Sequence, residues 1–171
     1  DELEQLLKDL NLYPKYILLT QNHFDHIWGC NYLVEKYHSK IICSVLCSEA
    51  IQDAKRNHSL FYNQKAFQVP AADICIEDIG FNWNWNGWGI TFFVAEGHTN
   101  AGICFEIGNS LFTGDTLLKD LRTVTKLFCG SKEKLVVTIN RIKRLQGKGF
   151  YVYPGHGDGF DLDNYDLNKA L

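Results

Sequence analysis

Four times along this chain a strand-like run of residues ends in a side chain that can bind a metal. Tyr16-Ile17-Leu18-Leu19-Thr20 runs into Gln21-Asn22-His23-Phe24-Asp25-His26, and Phe92-Phe93-Val94-Ala95 runs into Gly97-His98-Thr99. Ser110-Leu111-Phe112 leads to Gly114-Asp115-Thr116, and Phe150-Tyr151-Val152-Tyr153 leads to Gly155-His156-Gly157. β-branched and aromatic residues fit a pleated sheet, and glycine punctuates its ends. Strand ends are rigid points from which side chains can be aimed at a common target. A chain written this way must bring several strand ends to one edge.

The residue types point to a metal centre. His23, Asp25 and His26 lie too close in sequence for a turning loop to send all three easily to one ion, but alternate members can reach two neighbouring ions. Imidazole and carboxylate without a nearby thiolate pattern suit zinc, and also iron or manganese. A structural zinc site closes four ligands from paired local motifs. Ligands spread over about 130 residues instead describe a site on a scaffold, with a position left for water. His38 and His58 stand outside the pattern and read as capping or core histidines. Asp115 alone would read as a turn residue; in this company it joins the ligand set.

Composition narrows the class. With 171 residues and 46% hydrophobic content the sequence reads as one domain over 1–171. A net charge of -3 gives no attraction to nucleic acid, and the basic run Arg141-Ile142-Lys143-Arg144 reads as the solvated face of a helix. No stretch approaches the ~20 apolar residues of a membrane span. Six cysteines, Cys30, Cys43, Cys47, Cys75, Cys104 and Cys129, lack metal-type pairing apart from the spacing of Cys43 and Cys47. They read as reduced, small apolar residues of a cytoplasmic protein.

Periodicity places the elements. Leu3, Leu6, Leu7 and Leu10 form a helical stripe, Tyr16–Thr20 reads as a buried strand, 27–37 as a helix, 41–43 as a short strand and 48–56 as a helix. Phe81, Trp83 and Trp85 alternate with Asn, Asn86-Gly87 supplies a type I′ turn, and Trp88, Ile90, Phe92 and Val94 alternate on the return: a hairpin. Its three Trp read as cross-strand packing beneath a helix rather than a sugar-stacking platform. Strands at 102–107, 111–113 and 149–153 and a helix at 132–145 complete an α/β sandwich.

The ordered set Thr20-Gln21-x-His23-x-Asp25-His26, Gly97-His98-Thr99, Phe112-Thr113-Gly114-Asp115-Thr116 and Tyr153-Pro154-Gly155-His156-Gly157 resembles the metallo-β-lactamase superfamily, and within it single-domain glyoxalase II (hydroxyacylglutathione hydrolase-like) proteins. The resemblance implies a four-layer αββα sandwich carrying up to two zinc ions. It assigns His23 and His98 to the first metal, Asp25, His26 and His156 to the second, and Asp115 to both. The family motif has His where this chain has Gln21, whose neutral amide oxygen is the expected, weaker substitute ligand. The resemblance also implies that on the order of 40–60 residues of the family's N-terminal strands are missing ahead of Asp1. An incomplete sheet exposes apolar faces and edges, which favours self-association.

The chemistry implied is hydrolysis of a small thioester of the hydroxyacylglutathione type. Water held at the ions has its pKa lowered to about 7, Asp25 orients it, and the thiolate leaves without strong acid assistance. Lys119, Arg122 and Lys126, in the segment after Asp115, are candidate cations for a small-molecule substrate's carboxylate. A lactonase is the alternative enzyme, and a non-catalytic metal-binding relic the alternative outside catalysis.

Overall fold

A computed structural model describes residues 2–62, 65–77 and 80–171. Two sheets carry the fold. The smaller is parallel, in the order β1 (Tyr16–Leu18), β2 (Lys40–Ser44), β3 (Ile74–Ile76). The larger follows sequence order through β4 (Asn82–Trp85), β5 (Trp88–Val94), β6 (Ile103–Ile107), β7 (Ser110–Gly114), β8 (Tyr151–Pro154) and β9 (Phe160–Asp161). Neighbours in it are antiparallel except β7 and β8, which run parallel because the helix α6 (Lys132–Lys143) crosses between them.

Three buried clusters fill the gaps between successive layers. Period-two alternation puts Ile41 and Cys43 of β2 against Ile27, Cys30, Cys47 and Ile51 of the helical layer. That layer comprises α2 (Phe24–Ile27), α3 (Cys30–Tyr37) and α4 (Val45–Ile51), and the short helix α5 (Ser59–Tyr62) follows. The intervening Ile42 faces Ile90, Phe92, Ile103 and Phe105 of the larger sheet. On that sheet's other face Phe93, Cys104, Leu111 and Val152 meet Leu135, Ile139 and Ile142 of α6. Both sheets are thus covered on both faces, and Phe92 and Phe93, adjacent in sequence, are buried on opposite sides. Burial of each such ring contributes about 1.5–3 kcal/mol. The helix α1 (Glu2–Asp9) buries no residue fully.

Several boundaries differ from the sequence expectation. The helix expected over 27–37 starts earlier and breaks at Trp28-Gly29, so Asp25 and His26 lie on a short helix rather than in a loop. The helix expected over 48–56 begins at Val45, because the Ser44 hydroxyl caps it by accepting from Cys47 N (3.1 Å). It ends at Ile51, where the Asp53 carboxylate draws the Lys55 and Arg56 N–H groups into a local turn. The strand β3 was absent from the expectation. The first strand stops at Leu18 and is half-buried.

The hairpin forms as expected. Asn86 and Gly87 both take the positive φ (54° and 86°) that a type I′ turn needs. Among the described residues the Trp side chains are only partly covered: Trp83 and Trp85 meet the Tyr16 ring edge-on, and Trp85 and Trp88 are exposed. They line an apolar groove of about 580 Å³ with Leu7, Leu12 and Tyr13.

Candidate metal centre

All four strand-end motifs meet at one edge of the sandwich. The segment 21–26 leaves β1 and turns at once into α2, with His23 at its N-cap position. His98 follows β5, Asp115 follows β7, and His156 follows β8. Gly155 is required at the meeting point. A Cβ there would lie 2.5 Å from His26 Cε1 and collide with the Asp115 carboxylate.

On the solvent side four residues form a cage. His156 Nε2 lies 3.1 Å from Asp25 Oδ2 and 3.7 Å from Asp115 Oδ1, while His26 Nε2 lies 3.6 Å from Asp25 Oδ2 and 3.2 Å from Asp115 Oδ2. Bonds of about 2.0–2.2 Å around a tetrahedral zinc give ligand–ligand edges of roughly 3.3–3.6 Å; ligand atoms of Asp25, His26 and His156 lie mutually close enough for one ion, and Asp115 meets the two imidazoles through its two different oxygens. Asp115 Oδ1 is buried and has no hydrogen-bond partner. A buried anionic oxygen without a donor calls for a cation. The His156 side chain is 54% exposed, leaving the cage open to a small molecule.

Behind it lies a second cage of similar size, whose Gln21, His23 and His98 are buried. His98 Nε2 is 3.0 Å from His23 Nδ1 and 3.5 Å from Asp115 Oδ2. Gln21 Nε2 is 3.4 Å from His23 Nδ1 and 3.3 Å from Asp115 Oδ2. His98 Nδ1 lies 2.8 Å from Val124 O. A carbonyl only accepts, so Nδ1 carries the hydrogen and Nε2 presents a lone pair to the cage. Gln21 differs from expectation. Its Oε1 accepts from Asp115 N at 3.0 Å, so the amide presents nitrogen, not oxygen, to the neighbouring ligands.

Burial and charge set the protonation of these groups. Burial, followed by the neighbouring His98 and His58, pushes His23 down to about 3. For His26 burial acts downward, but the Asp115 hydrogen bond and charge outweigh it and the value is raised. Burial works to raise Asp115, and the His26 hydrogen bond with the charges of His26, His98 and His156 overcomes it, lowering the carboxyl.

The expected cations are not gathered at the cages. Lys119 pairs with Asp158 at 3.7 Å, whereas Arg122 and Lys126 line a groove of about 350 Å³ with Val124, Lys132 and Leu171. Their segment contributes the Val124 carbonyl instead. His38 caps α3, as expected of a lone histidine. His58 is more than a core residue: its ring stacks on His23 with centroids 4.5 Å apart. It also lines a hollow of about 310 Å³ with Lys55, Arg56, Phe61 and Phe128. Asn57 fixes that turn by donating to Phe67 O and accepting from Ser59 N. Asn22 ties the ligand segment to Arg56 O and Thr99 Oγ1. No sequence periodicity marks His58 or Val124, since each acts through a fold contact. Five of the six cysteines are buried or half-buried, and none is disulfide-bonded. Burial lifts Cys30 to about 12. Among the described residues no helix is long and apolar enough to cross a membrane.

Residues 2–158 match the family model of the metallo-β-lactamase superfamily, so the chain belongs to that superfamily. It is 32% identical over 152 residues to a hydroxyacylglutathione hydrolase of Pelagibacter ubique, covering 88% of this chain and 54% of that protein. It is 30% identical over 159 residues to a probable polyketide biosynthesis zinc-dependent hydrolase, BaeB, of Bacillus velezensis, covering 93% and 64%. The chain therefore spans little more than half to two thirds of these relatives' lengths. Among solved structures, the B3 metallo-β-lactamase BLEG-1 superposes with a TM-score of 0.86 at 22% identity, over 94% of this chain and 78% of that one. A protein solved in a di-iron-bound form, TTHA1623, gives 0.79 at 24% identity, over 94% and 79%. These two likenesses establish the metallo-β-lactamase fold, an α/β sandwich.

Proposed function

We propose that this chain is a metal-dependent hydrolase acting on a small thioester of the hydroxyacylglutathione type. The observation that carries the reading is the open cage of Asp25, His26, His156 and Asp115, with its unpartnered carboxylate oxygen and edges of 3.1–3.7 Å. A zinc ion bound there supplies Lewis acidity and lowers the pKa of water to about 7; iron and manganese suit the same donors.

The chain's own groups do the rest. His26 and Asp115, 3.2 Å apart, would hold the ion as neighbouring ligands. Asp25, whose side chain is 37% exposed, faces solvent at the rim, where it orients an attacking water and accepts its proton. His156 closes the far side. A thiolate leaving group departs without a strong acid beside it, which favours a thioester over an amide. The hollow beyond His58 lies one ring layer from His23, and its Lys55 and Arg56 complement a substrate carboxylate beside the apolar Phe61 and Phe128. The name of the Pelagibacter relative supports the acyl-thiol class.

Turnover of a hydroxyacylglutathione beside a simple γ-lactone, with zinc-loaded and chelator-treated protein, tests the reading. Chelator-sensitive thioester cleavage is expected. Preferential lactone opening makes the chain a lactonase, and no turnover of either with metal bound leaves a metal-binding protein without this activity.

A further inference from the structure

On the reading that the open cage holds a divalent ion, we propose that the centre is built for a single ion. Asp25, His26, His156 and Asp115 take that ion, and Gln21 closes the rear cage as a hydrogen-bond donor. The two cages are nearly equal in size, with edges of 3.1–3.7 Å in front and 3.0–3.5 Å behind. What separates them is the atom at one corner. In front every corner is a carboxylate oxygen or an imidazole nitrogen. Behind, one corner is the Gln21 amide nitrogen, which carries two hydrogens and has no lone pair for a metal.

Two bonds hold the amide in that orientation. Asp115 N donates to Oε1 at 3.0 Å, and Nε2 donates to Asp115 Oδ2 at 3.3 Å. A flip would bring Oε1 to the corner but would set Nε2 against the Asp115 N–H, donor against donor, and would strip Asp115 Oδ2 of its amide donor. The group is 2% exposed, so water cannot repair the loss, and backbone stands close on one side. A Cβ on Gly114 would lie 2.8 Å from Gln21 Oε1. One lost bond plus one unpaired buried donor corresponds to about 100-fold in affinity.

The rear cage is also filled with hydrogens already. With His98 Nδ1–H committed to Val124 O, His98 Nε2 can accept from His23 Nδ1 at 3.0 Å. Asp115 Oδ2 is met by Gln21 and His26, whereas its Oδ1 has no donor and lies nearest His156, on the front side. The unmet demand for a cation is therefore in front. Asp25, His26 and His156 alone form a trio of mutually close ligand atoms among the described residues. His23 Nε2 is also unpartnered, but it is the ring's other nitrogen; the contact to His98 is made by Nδ1.

The test is zinc binding, read without substrate. The full chain is stripped with chelator, titrated with zinc against a chromophoric competitor, and its stoichiometry read by native mass spectrometry. One strong equivalent per chain is expected, with any second at least about 100-fold weaker. His98→Ala keeps the strong equivalent and His156→Ala loses it, so the assignment stands even where Gln21→His fails to fold. Where it folds, Gln21→His adds a second strong equivalent. Two equivalents of like affinity in the unmodified chain, loss of the ion in His98→Ala but not His156→Ala, or no zinc bound at all each overturn the proposal. One strong ion without thioester turnover removes the hydrolase reading and leaves this one; turnover with two strong ions does the reverse.

Discussion

The two sheets contribute to the centre in opposite ways. The parallel sheet delivers Gln21, His23, Asp25 and His26 from one continuous segment after β1. The larger sheet delivers His98, Asp115 and His156 from the ends of three separate strands. In the first case the geometry is local, set by the turn into α2. In the second it is set by strand register across long separations, so a small shift of β7 against β8 moves two ligands relative to each other. Errors in the larger sheet should therefore damage the centre more than comparable errors in the segment 21–26.

Asp115→Ala is the strongest test of that difference. Among the described residues it removes the one carboxylate that touches His26, His98, His156 and Gln21. Loss of a residue that merely supports a ligand typically costs 10–100-fold, so turnover should fall by more than about 100-fold and zinc content should fall with it. Asp25→Ala should weaken zinc while leaving the melting temperature of the metal-free chain nearly unchanged. Equal effects of the two substitutions on metal-free stability would break the comparison.

Acid probes the buried member of the local segment. His23 is held at about 3 against an ordinary 6.5, so below pH 6.5 the unfolded chain takes a proton that the native state refuses. Stability of the metal-free protein is then lost as pH falls from 6.5 towards 3, by on the order of a few kcal/mol. Asp115, with its lowered carboxyl, adds to the acid loss as pH falls through its native value. His26, with its raised value, works the other way, its contribution fading as pH rises through its native value. Urea midpoints across pH should flatten in His23→Leu and steepen in His26→Leu.

Gly155→Ala tests register alone. The added methyl meets His26 and Asp115 without altering any ligand, and zinc affinity should fall about 10-fold. Affinity unchanged from the parent would show that the β8 end can yield. A smaller effect belongs to the hollow beyond His58: Lys55→Ala should raise KM for an anionic thioester a few-fold, about 1 kcal/mol, with kcat held, whereas Lys126→Ala should change neither. The smallest concerns the far end of the sandwich. Trp88→Ser should shift any self-association seen by sedimentation towards monomer while leaving zinc stoichiometry untouched.

Much of this centre could be read from the sequence because its markers are local. Gly-flanked His98, Asp115 and His156 each announce a strand end, and His23-x-Asp25-His26 announces a ligand cluster, though not the short helix that carries Asp25 and His26. The hairpin was equally legible from Asn86-Gly87, whose backbone demand is specific. The orientation of the Gln21 amide was not, because it depends on the Asp115 N–H, which only the pairing of the two sheets brings near. His58 escaped for a similar reason. Its approach to His23 is made by the Asn57 anchor and the end of α4, neither of which has a periodic signature. The segment after Asp115 misled in another way: its charges drew attention while its working group is a backbone carbonyl.

Two hydrogen bonds between the sheets have mechanical consequences. Ile103 N donates to Thr20 O at 2.9 Å, and the Ser44 hydroxyl donates to Ala101 O at 2.7 Å. Both stitches join the two sheets at the ligand edge, while the opposite edge holds the open groove beneath Trp83 and Trp85. The sandwich is thus pinned like a book at its spine. Thermal breathing opens the page edge first, so on warming, tryptophan emission should redden well before the Ile103 amide surrenders its protection from deuterium.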